Sequence, residues 1–429
     1  MIAELRELAR TFPDPRTGRN TQFTMEDVVL AAFAVFWTQS PSFLAQQTRM
    51  RQVHGRSNAE TLFGMTRIPS DNHIRELLDP VPPAALFPWF EQIVARLQAR
   101  DRLVPYRVLD GQLLIALDGT QYHSSDAIHC AQCTRREHAD GHVSYAHTVV
   151  TPVIVAPGCP RVLPLSPEFV TPQDGHAKQD CEHAAAKRWM LRAGPAWRHT
   201  PVTLLGDDLY ARQPLCEAAR AAGFHFLFVC KPSSHPTLYE WLTGLRRNGQ
   251  VDGVQQTRHH GRQCEIDTYA FAQQLPLRDG KTALEVNWCE LTTTDAAGKV
   301  RYHNAFITDH PVSAATVVAL VAAGRARWKV ENENNNTLKT QGYHLTHNFG
   351  HGQQHLAATL VTLNLVAFLI HTVLALENAR YAAIRSALGA RKRFFRDIQA
   401  LTCYLYFGSF EALLAFMGQR LELPRPDSS

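Results

Sequence analysis

The chain is poor in charge. Asp, Glu, Lys and Arg make up 19% of its 429 residues, against 45% hydrophobic, a balance that excludes a disordered polypeptide and allows a large buried core. It also lacks a strong excess of either sign. The net charge is +5 with His neutral, too little for a polycation, so a nucleic-acid partner would have to meet local basic patches. The first residues, Met1-Ile2-Ala3-Glu4-Leu5-Arg6, carry no apolar signal core, and nine cysteines is an odd count. Together these predict a reducing, cytoplasmic setting without a disulfide framework. Internal repeats are missing, and low complexity is confined to Asn334-Asn335-Asn336. Long apolar runs are scarce as well: Leu356 to Leu376 is long enough to cross a bilayer. It holds Asn364, His371 and several Thr, which predicts a buried core helix and no membrane partner.

What is present falls into three textures. Residues 1–105 read as a helical N-terminal domain: Thr24-Met25-Glu26-Asp27 resembles a capping box opening an apolar run, and Ser70-Asp71-Asn72 starts another helix stopped near Pro80. Arg49, Arg51, Arg56 and Arg67 are compatible with DNA contact there. Residues 106–378 read as an α/β domain. Strands are expected over Leu113–Leu117, Tyr145–Val155, Arg161–Leu165, Val202–Asp207 and Phe224–Cys230, with helices from about Cys181 to Leu191 and Arg212 to Ala222. Within it, about 250–310 reads as a β-rich insertion of three antiparallel strands, Gln263–Ala272, Ala283–Thr294 and Lys299–Thr308. Residues 379–429 form a helical C-terminal extension.

Three acids stand where catalytic carboxylates would have to stand. Asp118 closes the apolar run Leu113–Leu117, and Asp207 closes Val202–Gly206. Each reads as a buried strand delivering an acid to the end of the sheet. Glu331 lies in the helix-like stretch Arg327-Trp328-Lys329-Val330-Glu331. Three hard oxygen donors suit Mg²⁺ or Mn²⁺, and a metal pair ~3.5–4 Å apart is the usual machinery for in-line attack on a phosphodiester. Glu333 competes with Glu331. On a regular helix the two lie about 200° apart, and Trp328 and Leu338 share the side of Glu331, so Glu331 is expected to face inward and Glu333 to face solvent with Lys329. Asp208 competes with Asp207; adjacent strand residues point oppositely, and Asp207 is preferred because it directly follows the apolar run.

A second metal is suggested by Cys130-x₂-Cys133-x₄-His138-x₃-His142, two thiols and two imidazoles that would suit a structural zinc. His344, His347, His351 and His355 recur at intervals of three or four, but Gly350 and Gly352 interrupt any helix, and a loop lining a DNA channel is expected instead. Arg391-Lys392-Arg393-Phe394-Phe395-Arg396 is a short basic cluster suited to phosphate contacts.

The order strand-Asp, strand-Asp, β insertion, helix-Glu resembles the DDE transposases of bacterial insertion sequences. The likeness is carried by Leu117-Asp118-Gly119-Thr120, Gly206-Asp207-Asp208-Leu209-Tyr210, Arg327–Glu331 and the stretch Gly342–Gly352. It spans roughly residues 105–375 and is similar to the branch with a β insertion and a Tyr-Arg-Glu-Lys signature. The signature's Arg and Glu fall on Arg327 and Glu331; its Tyr position holds Gly324 and its Lys position Leu338, with Lys339 one residue late.

The resemblance implies an RNase H-like mixed sheet with flanking helices. It implies Mg²⁺ or Mn²⁺ on Asp118, Asp207 and Glu331, DNA contacts from Arg327, Lys339, Arg391, Lys392 and Arg393, and strand cleavage followed by strand transfer. The partner would be double-stranded DNA at transposon ends and target, bound by a homodimer in the nucleoid. An RNase H-like nuclease without strand transfer, and an inactive DNA-binding relic, are the alternatives.

Overall fold

The computed structural model describes residues 1–18, 21–174, 178–260 and 263–424. Its centre is a mixed sheet of twelve strands, which makes the chain an α/β protein. In chain order the strands are β1 (Arg107–Val108), β2 (Gln112–Ser125), β3 (Thr134–Glu137), β4 (Val143–Val155), β5 (Leu163–Pro164), β6 (Glu168–Phe169), β7 (Val202–Gly206), β8 (His225–Val229), β9 (Asp252–His260), β10 (Gln263–Pro276), β11 (Glu285–Asp295) and β12 (Val300–Thr308). The spatial order is β3-β4-β2-β7-β8-β12-β11-β10-β9.

Only β2, β7 and β8 run parallel. Their apolar sequences are continuous rather than alternating because the strands are covered on both faces; Leu113 to Leu117 are all 0% exposed. The parallel pairing of β2 with β7 covers Leu113↔Val202 to Ala116↔Leu205 and then stops. Helices Lys178–Trp197 and Gln213–Ala221 pack on this region.

The insertion differs from the sequence expectation in its strand count. It has a fourth strand, β9, whose mostly polar sequence Asp252–His260 hides the signal. The sequence reading left its docking open, and here β12 pairs antiparallel with β8, so the insertion continues the main sheet. After it, helix Val317–Arg325 returns across the sheet with Gly324 against Phe306. A Cβ on Gly324 would lie 2.6 Å from the Phe306 ring, which is fully buried. The position that the resemblance assigns to Tyr therefore has no room for any side chain. Gly324→Ala is expected to cost about 1–3 kcal/mol through overpacking, read as a lower urea midpoint at unchanged slope. An unchanged midpoint would mean the ring yields freely.

The N-terminal residues are helical as expected, with Thr24 Oγ1 accepting the Asp27 N–H and Ser70 Oγ the His73 N–H. Helix Met25–Trp37 packs on helix Leu356–Glu377, and helix Val53–Phe63 meets the C-terminal helices, where Asn58 Nδ2 donates to the Thr402 and Leu405 carbonyls, each at 2.8 Å. One apolar core runs through all of these elements. Leu356–Glu377 is apolar enough for a bilayer, yet 83% of its most apolar window is buried within the fold. Two of its polar residues bond within the fold through one atom each: Asn364 Nδ2 donates to the Tyr343 carbonyl at 2.8 Å and His371 Nδ1 meets the Tyr343 hydroxyl at 2.6 Å. It is a core helix.

Candidate active site

Register brings the first two acids together. Two residues beyond the last parallel pair, Ala116↔Leu205, come Asp118 on β2 and Asp207 after β7. The crevice beyond the carboxyl ends of parallel strands is where α/β sheets place their ligands. One expectation needs correction here: Asp118 is not at a strand end. β2 continues to Ser125 paired with β4, with a register shift between Gln121 and His123. What ends just before Asp118, at Ala116, is the pairing with β7, and that loss of a neighbour opens the space.

The third acid comes from the segment Val330–Asn336, a π-helix, which contacts both β2 and β4. Glu331 Oε1 accepts from Arg327 at 2.6 Å. The regular wheel chose Glu331 over Glu333 for a reason the structure overturns. Trp328 is 45% exposed, while Lys329 is buried and its Nζ donates to the Cys159 carbonyl. The helix is broken at Ala326–Arg327 and then widened, so a period of 100° cannot be carried from Trp328 to Leu338. Glu333 is not a solvent residue either: it is partly buried and lines a separate cleft with Arg161, Tyr381, Arg385 and Arg391.

The negative charges acting on Asp118 come from the other acids. The Asp118 carboxyl is raised to about 7, first by burial, then by the negative charges of Glu331 and Glu182, with Arg327 opposing and Asp207 adding to the rise. Asp208 serves elsewhere: its Oδ1 accepts the Lys231 N–H at 2.8 Å and its Oδ2 the Ser234 hydroxyl, closing the loop after β8. Asp207 Oδ1 accepts the Leu209 N–H at 2.9 Å. Of the two, Asp207 is the one whose charge acts on Asp118.

Two residues of this site escaped the sequence reading. Glu182, 2% exposed, lies on the face of its helix that also buries Ala185, Ala186 and Trp189. A carboxylate on an apolar helical face was the signal that could have found it. Its carboxyl group rests over Gly119, where a Cβ would approach its Cδ to 2.5 Å; the glycine after Asp118 makes that approach possible. The second is Asn335, whose Nδ2 donates to Asp118 Oδ2 at 2.7 Å. Asn335 is itself held, its Oδ1 accepting from Thr151 Oγ1 at 3.0 Å and Asn334 Nδ2 at 2.9 Å. Thr151 is the cross-strand partner of Asp118, so the polar run that looked like low complexity orients the acid.

A group of side chains that could hold a metal ion gathers from the β2–β3 connection, β4 and the segment before helix Leu356–Glu377. Cys130, Cys133, His147 and His351 bring their ligand atoms all within 4.8 Å of one another. This corrects the expected set. His138 and His142 stack on each other at 4.2 Å, with His138 Nε2 on Ser144 Oγ at 2.7 Å and His142 Nε2 on Asp126 at 3.1 Å. They sit on the β3–β4 hairpin, whose turn sends them away from the thiols. His351 belongs to the cluster and not to a free loop. Burial and neighbouring imidazoles lower His147 to about 3 and His351 to about 4, which keeps both rings neutral near neutral pH.

A second grouping, His225, Asp309 and His310, sits at the far end of the parallel strands and is hydrogen-bonded internally. His225 Nδ1 meets Asp309 at 3.0 Å and His310 Nε2 meets Thr203 Oγ1 at 2.8 Å.

Of the basic residues, Arg327 is committed to Glu331, and Arg391 packs over the Tyr343 and Phe368 rings with a 3.2 Å bond to the Tyr343 hydroxyl. Lys392 and Arg393 are exposed, and Lys339 is partly buried. No protein-family model matches the chain, and neither does any curated protein.

Proposed function

We propose that the protein is a DNA transposase, an RNase H-like enzyme that cuts a DNA strand in a metal-dependent reaction and transfers the freed 3′-hydroxyl to a target. The observation that carries this reading is the state of the three acids. Each has one oxygen held by the protein: Asp118 Oδ2 by Asn335, Asp207 Oδ1 by the Leu209 N–H and Glu331 Oε1 by Arg327. The other oxygen of each has no hydrogen-bond partner among the described residues. A carboxyl raised to about 7, first by burial and then by its acidic neighbours, is a group in want of a cation, and the donors are all hard oxygens, as Mg²⁺ or Mn²⁺ prefers.

When bound, a pair of such ions lowers the pKa of the attacking water or 3′-hydroxyl and neutralises the leaving oxygen. The protein's own part is orientation. Asn335 and Thr151 fix Asp118, Arg327 holds Glu331 at the open side of the site, and Glu182 supplies a fourth carboxylate beneath it. Glu331 is 48% exposed, so a DNA strand would reach the acids from that side. The two thiols and two imidazoles of the other cluster are a softer donor set, and we assign zinc to it.

The test is an oligonucleotide assay with a duplex carrying the inverted repeats that flank the gene. Strand nicking that requires Mg²⁺ or Mn²⁺, followed by joining of a 3′-hydroxyl end to a second duplex, is the expected result. Nicking without joining would leave a nuclease, and binding without nicking an inactive relic.

A further inference from the structure

The Cys/His cluster joins segments that are remote in the chain. Cys130 and Cys133 lie in the connection between β2 and β3, His147 lies within β4, and His351 lies just before helix Leu356–Glu377. Cys130 Sγ and Cys133 Sγ are 3.9 Å apart, far beyond the ~2.05 Å of a disulfide. His147 Nε2 is 3.6 Å from Cys130 Sγ and 3.4 Å from Cys133 Sγ, and His351 Nε2 is 3.6 Å from Cys133 Sγ. Zinc bonds of about 2.3 Å to sulfur and 2.0–2.1 Å to nitrogen, set tetrahedrally, require sulfurs about 3.8 Å apart and sulfur–nitrogen pairs about 3.6 Å apart. The observed separations match those of a tetrahedron around one ion. Four protein donors leave no open position for a substrate, which is the mark of a structural centre.

The segment that carries His351 is gripped from its other side by the N-terminal region. Arg75 Nε donates to the Phe349 carbonyl at 3.0 Å. The Asp79 carboxylate accepts the backbone N–H groups of Gln353, Gln354 and Leu356 at 3.0–3.1 Å, and the His355 N–H donates to the Asp79 carbonyl at 3.0 Å. Residues 349–356 are therefore a strap with Asp79 and Arg75 on one side and the thiols and His147 on the other.

We propose that zinc held by Cys130, Cys133, His147 and His351 is a clasp that fastens the β2–β4 arm to this strap, and through it to the N-terminal helices. The proposal rests on the zinc assignment and goes beyond it in stating what the ion holds together. The clasp acts on the same strand pair that carries Asp118 and Thr151, so it steadies the acids without touching them. A protein lacking the ion keeps the apolar core and loses the restraint on the strap.

The experiment uses full-length protein purified without a histidine tag. Elemental analysis is expected to give one zinc per chain, and cobalt substitution the intense visible bands of a tetrahedral thiolate site. His351→Gln is expected to weaken zinc binding by at least the roughly hundredfold that loss of an outer-shell partner already costs. His138→Gln and His142→Gln should leave it unchanged. Hydrogen exchange of the Gln353, Gln354 and Leu356 amides should quicken at least about tenfold in His351→Gln, and in wild-type protein stripped by a chelator, with zinc restoring protection. The chelated wild type keeps the test decisive if a cysteine variant does not fold. Absence of zinc would overturn the assignment and the clasp together. Zinc bound at full stoichiometry, with exchange of the strap indifferent to its removal, would overturn the clasp alone.

Discussion

Asp118→Asn, Asp207→Asn and Glu331→Gln should each lower Mg²⁺-dependent DNA cleavage at least about 10³-fold, on the order of 4 kcal/mol in the barrier. The substitutions are nearly isosteric and remove a formal negative charge. The three acids come from β2, from the turn after β7 and from the π-helical segment Val330–Asn336, and the neighbouring acids Asp208 and Glu333 are turned elsewhere, to Lys231 and Ser234 and to a separate cleft. DNA binding should survive, since the proposed function gives metal ligation and phosphate grip to different side chains. Asp208→Asn provides the contrast: Asp208 closes the loop after β8 through Lys231 and Ser234, and its loss should act on stability rather than on turnover. Cleavage retained at near wild-type rate by any of the three acid variants would remove that residue from the site.

The second expectation concerns stability, with the sign set by Asp118. Its carboxyl is raised from 3.8 to about 7 in the folded chain, chiefly by burial and by Glu331 and Glu182. The folded state therefore holds the proton more tightly than the unfolded state. The stabilisation this provides is complete below about pH 4 and is lost as pH climbs through about 7. In Mg²⁺-free buffer at pH 8, Asp118→Asn should be more stable than wild type by roughly 1–4 kcal/mol, while near pH 4 the two should be close. Added Mg²⁺ should raise the wild-type urea midpoint at pH 8 and leave that of Asp118→Asn nearly unmoved, because the ion needs the ionised acid. Parallel pH curves for the two proteins would mean that Asp118 does not carry the strained charge of this cluster. An inactive variant that is the more stable one would show a site whose acidic oxygens are held together at a cost in stability.

The acids that close apolar runs were legible because hydrophobic patterning is a local property. Leu113–Leu117 and Val202–Gly206 announce buried strands, and an acid directly after each run has few places to go. Glu331 was legible for its spacing from Arg327 but not for its direction, since the period of a regular helix does not survive the break at Ala326–Arg327 and the wider turn that follows. Gly324 looked like a missing side chain, and packing against Phe306 shows why none fits. The polar strand β9 left no apolar trace to read. Glu182 could have been found as a carboxylate on a helix face otherwise built of Ala and Trp. Asn335 could not, because its partner Asp118 is defined by a contact across more than two hundred residues.

The Cys/His cluster divides the two kinds of knowledge most sharply. Spacing alone identified Cys130 and Cys133, because ligands three residues apart in a turn point the same way whatever the rest of the chain does. The two imidazoles were decided by pairing and docking: β4 carries His147 back past the thiols, and the Asp79 grip on residues 349–356 delivers His351 from the far end of the domain. The amino-acid order by itself determined which segments are buried, which are helical or extended, and which acids close apolar runs, since each of these depends on side-chain patterns within a few residues. Which acids lie near one another, and which thiols and imidazoles converge, was decided only by strand register and long-range packing, because those positions are summed over the whole fold and written in no single stretch of it.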